Sequence, residues 1–468
     1  MEHSWRRQAQ QGHPQALEVL INEALRPCGV RVRVHRQGQQ LVIHCGQVAG
    51  VGVQGWARFI RRGLERLPYP SPGSVWLNGG DWQVVMNWGE PARRRPRLPL
   101  GLGLVAVTVT SLLLGGWLAY RWQPPVTIAQ EVPEPVLTPT PAPSPTVITI
   151  KAVGDVIPGS DYPDRRLHPE PRRLLAQVQA ELAGADVVFG NLEAPMTTHP
   201  ISSKNVNHHS VFAFRVPPAY AQLLREAGFT LFNLANNHSG DFGEIGLRDT
   251  VQHLQQAGVD TIGQRGEIFY QRVRGVRLAW IAFSPYGDHN SVLELAAAQN
   301  LVKQARTRAD LVIISAHMGA EGTGALRTRN QNEVFFGEPR GNPILFGRTM
   351  IASGADLVLG HGPHVPRALE VYRGKLIAYS LGNFIGYRTL GTQGELGYSL
   401  ILETRLASDR QLLGVRVIPV TLHHEGIPAP DPQKRTIRLI QELNRLDTPD
   451  NEWILGNDGV MQPRPQSP

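Results

Sequence analysis

Cysteine is nearly missing from this chain: its 468 residues hold only Cys28 and Cys45. No disulfide can form in the long stretch beyond residue 45, and no structural disulfide is expected ahead of it. Charge of either sign is missing from Leu98 to Tyr120, where Leu, Val, Ala, Gly and Trp dominate. That run exceeds the ~20 residues needed to cross a bilayer, and the domain-sized segment ahead of it excludes a cleaved signal peptide. An acidic surplus is missing as well: 14 Arg stand against 6 acidic residues up to Arg97, and 33 basic against 33 acidic residues follow. Arg93, Arg94, Arg95 and Arg97 flank the apolar run on one side and Arg121 alone on the other, which places the N-terminus in the cytoplasm and exports the rest. The span accounts for the basic N-terminal end, so nucleic acid is not an expected partner.

Hydrophobic residues make up 41% of the chain, enough for two or three domains with sizeable cores. Residues 1–90 read as a small cytoplasmic α/β module. A helical pattern through Ala16, Leu20 and Leu25 precedes a hairpin alternation at Val30–Val34 and Leu41–Ile43, a second helix at Gly55–Leu67, and strands at Val75–Leu77 and Trp82–Val85. The module holds no catalytic constellation. After the transmembrane helix at 98–120, residues 121–146 are a proline-rich linker, a semi-rigid extended spacer. A large domain follows over 147–445, and residues 446–468 read as a loose C-terminal tail.

Within 147–445, apolar runs at Val147–Ile150, Val187–Phe189, Leu231–Leu234, Leu278–Phe283, Leu311–Ile314 and Leu357–Leu359 alternate with helical patterns. That alternation predicts a layered α/β domain with helices on both faces. Its strands end in polar residues: Gly154-Asp155, Asn191-Leu192-Glu193, Asn236-Asn237-His238, His317 through Glu321, and His361-Gly362-Pro363-His364. Open α/β sheets put their chemistry at strand carboxyl ends, and carboxylates, amides and imidazoles there are donors for a divalent ion. A lone Gly-Asp is usually a turn and a lone His a hydrogen-bonded rim residue; five such ends together point to a site. Asn236, Asp241, Glu321 and Asn383 are candidate substrate contacts.

The series Val153-Gly154-Asp155, Asn191-Leu192-Glu193, Leu234-Ala235-Asn236-Asn237-His238 with Asp241-Phe242-Gly243, His317-Met318-Gly319, Gly360-His361-Gly362-Pro363-His364-Val365 and Tyr379-Ser380-Leu381-Gly382-Asn383-Phe384 resembles the CapA family. These are bacterial capsule synthesis proteins associated with poly-γ-glutamate. The resemblance covers about residues 147–420. It implies an α/β/β/α sandwich similar to the calcineurin-like metallophosphoesterases, in a single-pass protein of the bacterial inner membrane with this domain outside the cytoplasm. It also implies one or two divalent ions (Mn, Fe, Zn or Mg) held by Asp155, Glu193, Asn237, His317, His361 and His364, with Glu193 bridging and His238 as general acid or phosphate-contacting group. Phosphoesterases usually carry His two residues after the first Asp, where this chain has Ile157, and bridge with Asp rather than Glu. Many family members have His-Pro-His where this chain has Gly362-Pro363-His364, which leaves one metal position weaker.

Two functions follow from these readings. One is a membrane-anchored metal-dependent hydrolase of a phosphoester or a polymer linkage. The other is a non-catalytic subunit that binds or exports an anionic capsule polymer, working with other capsule synthesis subunits. Metal content and turnover distinguish them.

Overall fold

The computed structural model describes residues 16, 18, 32–37, 40–45, 74–78, 83–87, 144–206, 211–423 and 425–465. The transmembrane helix expected at 98–120, the second helix expected at 55–67 and nearly all of the linker lie outside them. Among the described residues, no helix is long and apolar enough to cross a membrane.

The chain divides into two compact units, Met1–Pro135 and Val136–Pro468. In the first, β1 (Val32–Gln37) and β2 (Gln40–Cys45) form an antiparallel hairpin. Next, β3 (Ser74–Asn78) joins β2 in parallel and β4 (Gln83–Asn87) pairs antiparallel with β3. Val34 and its register partner Ile43 are buried on one face of the hairpin, and Val42, on the other face, is buried as well.

The second unit starts with β5 (Val147–Ile157), β6 (Val187–Leu192), β7 (Leu231–Asn233) and β8 (Asp260–Ile262), parallel neighbours in one sheet. The chain then builds a second sheet. Here β9 (Phe269–Val273) pairs antiparallel with β10 (Val276–Ser284), and β11 (Asn290–Ser291) and β12 (Leu311–His317) flank β10 in parallel. A separate hairpin of β13 (Glu333–Phe335) and β14 (Glu338–Gly341) interrupts it. Then β15 (Leu357–His361), β16 (Leu369–Tyr372) and β17 (Lys375–Ala378) complete the order β11-β10-β12-β15-β17-β16.

The C-terminal third returns to the first sheet. In chain order it supplies β18 (Asn383–Gly386), β19 (Tyr398–Ala407), β20 (Leu412–Leu422), β21 (Pro428–Pro430), β22 (Trp453–Leu455) and β23 (Val460–Pro463). The resulting order is β22-β23-β20-β19-β5-β6-β7-β8, with β18 on β5 and β21 on β20. The loose tail expected at 446–468 is thereby corrected. The short apolar runs Trp453-Ile454-Leu455 and Val460-Met461 form a hairpin whose Met461 pairs with Val415, and Leu455 and Met461 are buried.

Strand periodicity sorts the side chains into layers. In β10, Leu278, Trp280 and Ala282 join a core between the two sheets, whereas Ala279, Ile281 and Phe283 point the other way into a second core. The inter-sheet core also takes Ile148, Ile150 and Phe189 from the first sheet, and Phe189 stacks on Trp280 at 5.0 Å between ring centroids. Outside the first sheet, Leu182 of α1 (Gln179–Leu182), Leu224 of α2 (Tyr220–Glu226) and Leu254 of α3 (Gly243–Gln256) cover Val153, Val188 and Phe232. Outside the second lie α4 (Leu295–Arg306) and α5 (Pro343–Ala352). Helix α5 starts where its sequence directs: Pro343 fits the first turn, and the Asn342 side chain accepts from Leu345 N at 3.0 Å. Last, α6 (Arg435–Asp447) adds Ile437 and Ile440 to the inter-sheet core. Helix, sheet, sheet, helix is the layering expected from the sequence.

One close approach decides how the first strand end is held. Asp155 N donates to Gly382 O at 2.9 Å, and a Cβ on the preceding Gly154 would lie 1.9 Å from that same oxygen. The obstacle is backbone, so it cannot rotate away. Gly154→Ala is expected to destabilise the domain by at least ~3 kcal/mol, the upper end of overpacking penalties. Thermal unfolding checks this; an unchanged midpoint would mean that the turn at Gly382 can move.

Candidate metal centre

Parallel pairing brings the polar strand ends to one edge. Asp155 lies near the carboxyl end of β5, Glu193 follows β6, Asn237 and His238 follow β7, His317 ends β12, and His361 ends β15 in register with His317. Asp155, Glu193, His317 and His361 are fully buried. The ligand atoms of Asp155, Glu193 and His364 lie within 4.8 Å of one another. His317 Nε2 is 3.8 Å from Glu193 Oε1, and His361 Nδ1 is 3.7 Å from Asp155 Oδ1. His364 Nδ1 sits between Asn383 Oδ1 at 2.9 Å and Asp155 Oδ2 at 3.0 Å. Its backbone is left-handed, at φ 61°, a conformation that turns the residue after Pro363 back over the carboxylates.

Several of these atoms have no hydrogen-bond partner among the described residues: both oxygens of Glu193, Asn237 Oδ1, His317 Nε2 and both ring nitrogens of His361. Buried polar atoms without partners cost roughly 1–3 kcal/mol each, and those of Glu193, His317 and His361 lie together beside Asp155 and His364. Carboxylate oxygens, an amide oxygen and neutral imidazole nitrogens are what a divalent cation binds, so the donor set fits one.

The titration behaviour agrees. Burial and the neighbouring Asp155 charge push Glu193 well above the usual carboxylate range. Burial drives His317 well below the usual imidazole range and takes His361 down to about 4 despite the pull of Asp155. Burial opposes charge on Asp155 too, but the hydrogen bond and charge of His364 outweigh it and bring the carboxyl to about 2. Against the same burial, Glu193, Asp155 and Glu321 lift His364 to about 10. Glu193 and His364 thus both have a raised affinity for protons. A cation would compete with protons at the cluster, because metal ligands bind in their deprotonated forms.

Beneath the donors runs an amide ladder absent from the sequence-based site. Asp155, Asn191 and Asn233 are register partners across β5, β6 and β7. Asn191 Nδ2 donates to Asp155 Oδ1 at 2.8 Å and lies 3.4 Å from His317 Nδ1. Asn191 Oδ1 accepts from Asn233 Nδ2 at 2.9 Å and Asn236 Nδ2 at 3.1 Å. Such outer partners orient ligands.

Three of the expected substrate contacts are buried and engaged with neighbouring residues. Asn236 is buried, donating to Asn191 and to Leu192 O, and its oxygen takes His238 N. Asp241 is fully buried and accepts from Phe214 N at 2.8 Å, with His238 Nδ1 at 2.9 Å. Asn383 is spent on His364 and on the carbonyls of Gly391 and Leu396. All three support residues that face the site. Glu321 alone stands at its rim, with Oε1 taking Arg340 at 2.8 Å and Oε2 lying 3.8 Å from His364 Nε2.

With Nδ1 on Asp241, His238 keeps Nε2 for another partner. Burial holds its pKa below the usual range, against the pull of Asp241 and helped by Lys204. Lys204, which the sequence reading did not single out, reaches in from a distant loop: its Nζ is 2.6 Å from Asp241 Oδ1, 3.0 Å from Asn237 O and 3.3 Å from His238 Nδ1.

The model of one family, described as "Bacterial capsule synthesis protein PGA_cap", matches residues 149–388. Among curated relatives, "PGA biosynthesis protein CapA" of Bacillus subtilis (strain 168) is 26% identical over 263 residues, covering 51% of this chain and 63% of that one. "Capsule biosynthesis protein CapA" of Bacillus anthracis is 28% identical over 264 residues, covering 51% and 59%. The match thus spans about six-tenths of the length of these relatives. Among solved structures, a 5'-nucleotidase precursor from Thermus thermophilus aligns over 64% of this chain and 59% of its own, at 11% identity and a TM-score of 0.33.

Proposed function

Because the chain belongs to the bacterial capsule synthesis protein PGA_cap family, we propose that it is a metal-dependent hydrolase of capsule polymer biosynthesis, acting on a phosphoester or on a linkage of an anionic polymer such as poly-γ-glutamate. The observation that carries this reading is the gathering of buried, unpartnered donors of Glu193, His317 and His361 beside Asp155 and His364. Two relatives named for PGA and capsule biosynthesis support the polymer. In the same proposal the run at 98–120 anchors the chain in the bacterial inner membrane, with residues 1–90 in the cytoplasm and the site outside. Other capsule synthesis subunits are its natural partners.

Asp155, Glu193, Asn237, His317, His361 and His364 would hold one or two divalent ions, such as Mn, Fe, Zn or Mg. Bound there, such ions supply Lewis-acid polarisation and an activated water. The chain's own residues do the rest. Asn191 fixes the Asp155 carboxylate, Asp241 and Lys204 hold the turn that presents His238, and His238 Nε2 would take a proton from the attacking water and pass it to the leaving group.

Elemental analysis of the purified protein, paired with hydrolysis of a generic phosphoester, tests the reading. We expect about one or two divalent ions per chain, loss of turnover on chelation, and recovery when metal is restored. Metal bound without turnover of phosphoester or polyglutamate would instead favour a non-catalytic subunit that binds or exports the polymer. Absence of bound metal would remove both the ions and the hydrolase.

A further inference from the structure

The edge opposite the metal centre carries a second feature. Here the amino ends of β5, β10, β12, β15 and β17 come together with the β19–β20 turn, and it is here that the chain enters the domain. Ala407 pairs with Val147, Ser408 N donates to Thr146 O at 2.8 Å, and Arg274 reaches Val147 O at 3.2 Å. Six cations stand at this edge against five carboxylates, an excess of one positive charge. Asp356, fully buried, is one carboxylate among three cations: Arg306 at 2.8 Å, Arg410 at 2.8 Å and Lys375 at 3.2 Å. Around that cluster Arg274, Arg277 and Arg373 are exposed. Arg277 pairs with Asp310 at 2.8 Å, Arg274 lies 3.9 Å from Asp186, and Glu452 spends its oxygens on the backbone of Arg373 and Gly374. Asp409 in the turn is the other acid, and the exposed side chain of Leu413 stands beside it.

We propose that this edge docks on the anionic headgroups of the membrane into which the preceding segment inserts, so that the metal centre faces away from the bilayer. Two independent observations name the occupant. Cationic surface attracts anionic lipid, worth a factor of ~5 for each Lys or Arg near the surface. The tether also leaves from this same edge: the uncharged run at 98–120, of bilayer-spanning length, and a proline-rich spacer lead directly to Val147. The spacer limits how far the edge can stray, not how near it comes, and it keeps the lipid at high effective concentration. The docking does not depend on catalysis at the opposite edge.

Amide hydrogen exchange on the full chain in lipid nanodiscs tests the proposal. Discs containing phosphatidylglycerol should slow exchange at 273–277, 373–375 and 408–413 relative to phosphatidylcholine discs, while residues 321–327 at the metal-centre rim stay unchanged. Salt should erase the difference. The variant R274E/R277E/R373E should lose it, by ~5-fold or more for each reversal. These three positions leave the cations of Asp356 intact, and unaltered exchange at 311–317 verifies that the variant remains folded. Equal exchange in both discs would overturn the proposal, as would failure of the chain to enter the discs. Protection by soluble polyglutamate in phosphatidylcholine discs, with none from anionic lipid, would also overturn it and make the edge a polymer-binding face.

Discussion

Removing the Glu193 carboxylate is expected to empty the metal centre. Both its oxygens are fully buried and unpartnered, with Asp155 and His364 within ligand distance. No other carboxylate among the described residues joins that group, and Glu321 is engaged with Arg340. Loss of an outer partner typically costs ~10- to 100-fold in metal affinity, and loss of a direct carboxylate donor should cost at least the upper figure. A second readout separates this from misfolding. Wild-type protein should gain thermal stability as divalent metal is added, because the ion binds the native state alone. Glu193→Ala should lose that gain while its metal-free stability equals or exceeds wild type, since a buried carboxylate beside Asp155 is unfavourable without a cation. A variant that kept full metal content would show that Glu193 is not a ligand.

His238→Ala is expected to leave metal content unchanged and slow turnover by ~100- to 10,000-fold, the range for general acid–base catalysis. The reasoning is geometric. Nδ1 is engaged by Asp241, so Nε2 is the atom available to the substrate, and the ring leans on Phe214 at 4.7 Å. Burial favours the neutral imidazole, whose Nε2 takes up a proton before passing it on. Equal metal loss in His238→Ala and Glu193→Ala would make His238 a ligand. Unchanged turnover would remove it from the chemistry.

What the amino-acid sequence disclosed, and what it hid, follows from the range over which each signal acts. The runs at 187–189, 278–283, 311–314 and 357–359 became buried strands because a continuous apolar run bounded by polar residues has one compact solution in a layered domain. Asp155, Glu193, His317 and His361 could be placed together because parallel strands put their carboxyl ends on one edge. Side-chain direction within a strand end was not legible. Asn236, Asp241 and Asn383 sit beside residues that face the site, yet each points into the supporting layer. Asn191 is visible as a strand-end residue, but its place between Asp155 and Asn233 depends on a register that three separate strands settle jointly. Lys204 has no local signature, since its partners Asn237 and Asp241 become neighbours only when the loop folds back. The same holds for residues 453–463, whose brief apolar runs gain meaning from β20.

The position of β5 between β6 and β19 bears on how the protein is made. Val153 is synthesised early and pairs with Ile401, which emerges far later. Until then residues 147–153 of that strand present one unpaired side, and the inter-sheet core lacks Leu400, Leu402 and Leu406. Contacts this distant in the chain favour slow acquisition of the native state. A nascent chain not yet extended past residue 407 would be held open, with an exposed strand edge vulnerable to aggregation and proteolysis. Truncations that stop short of β19 should therefore be cleared by proteases rather than accumulate as smaller folded domains.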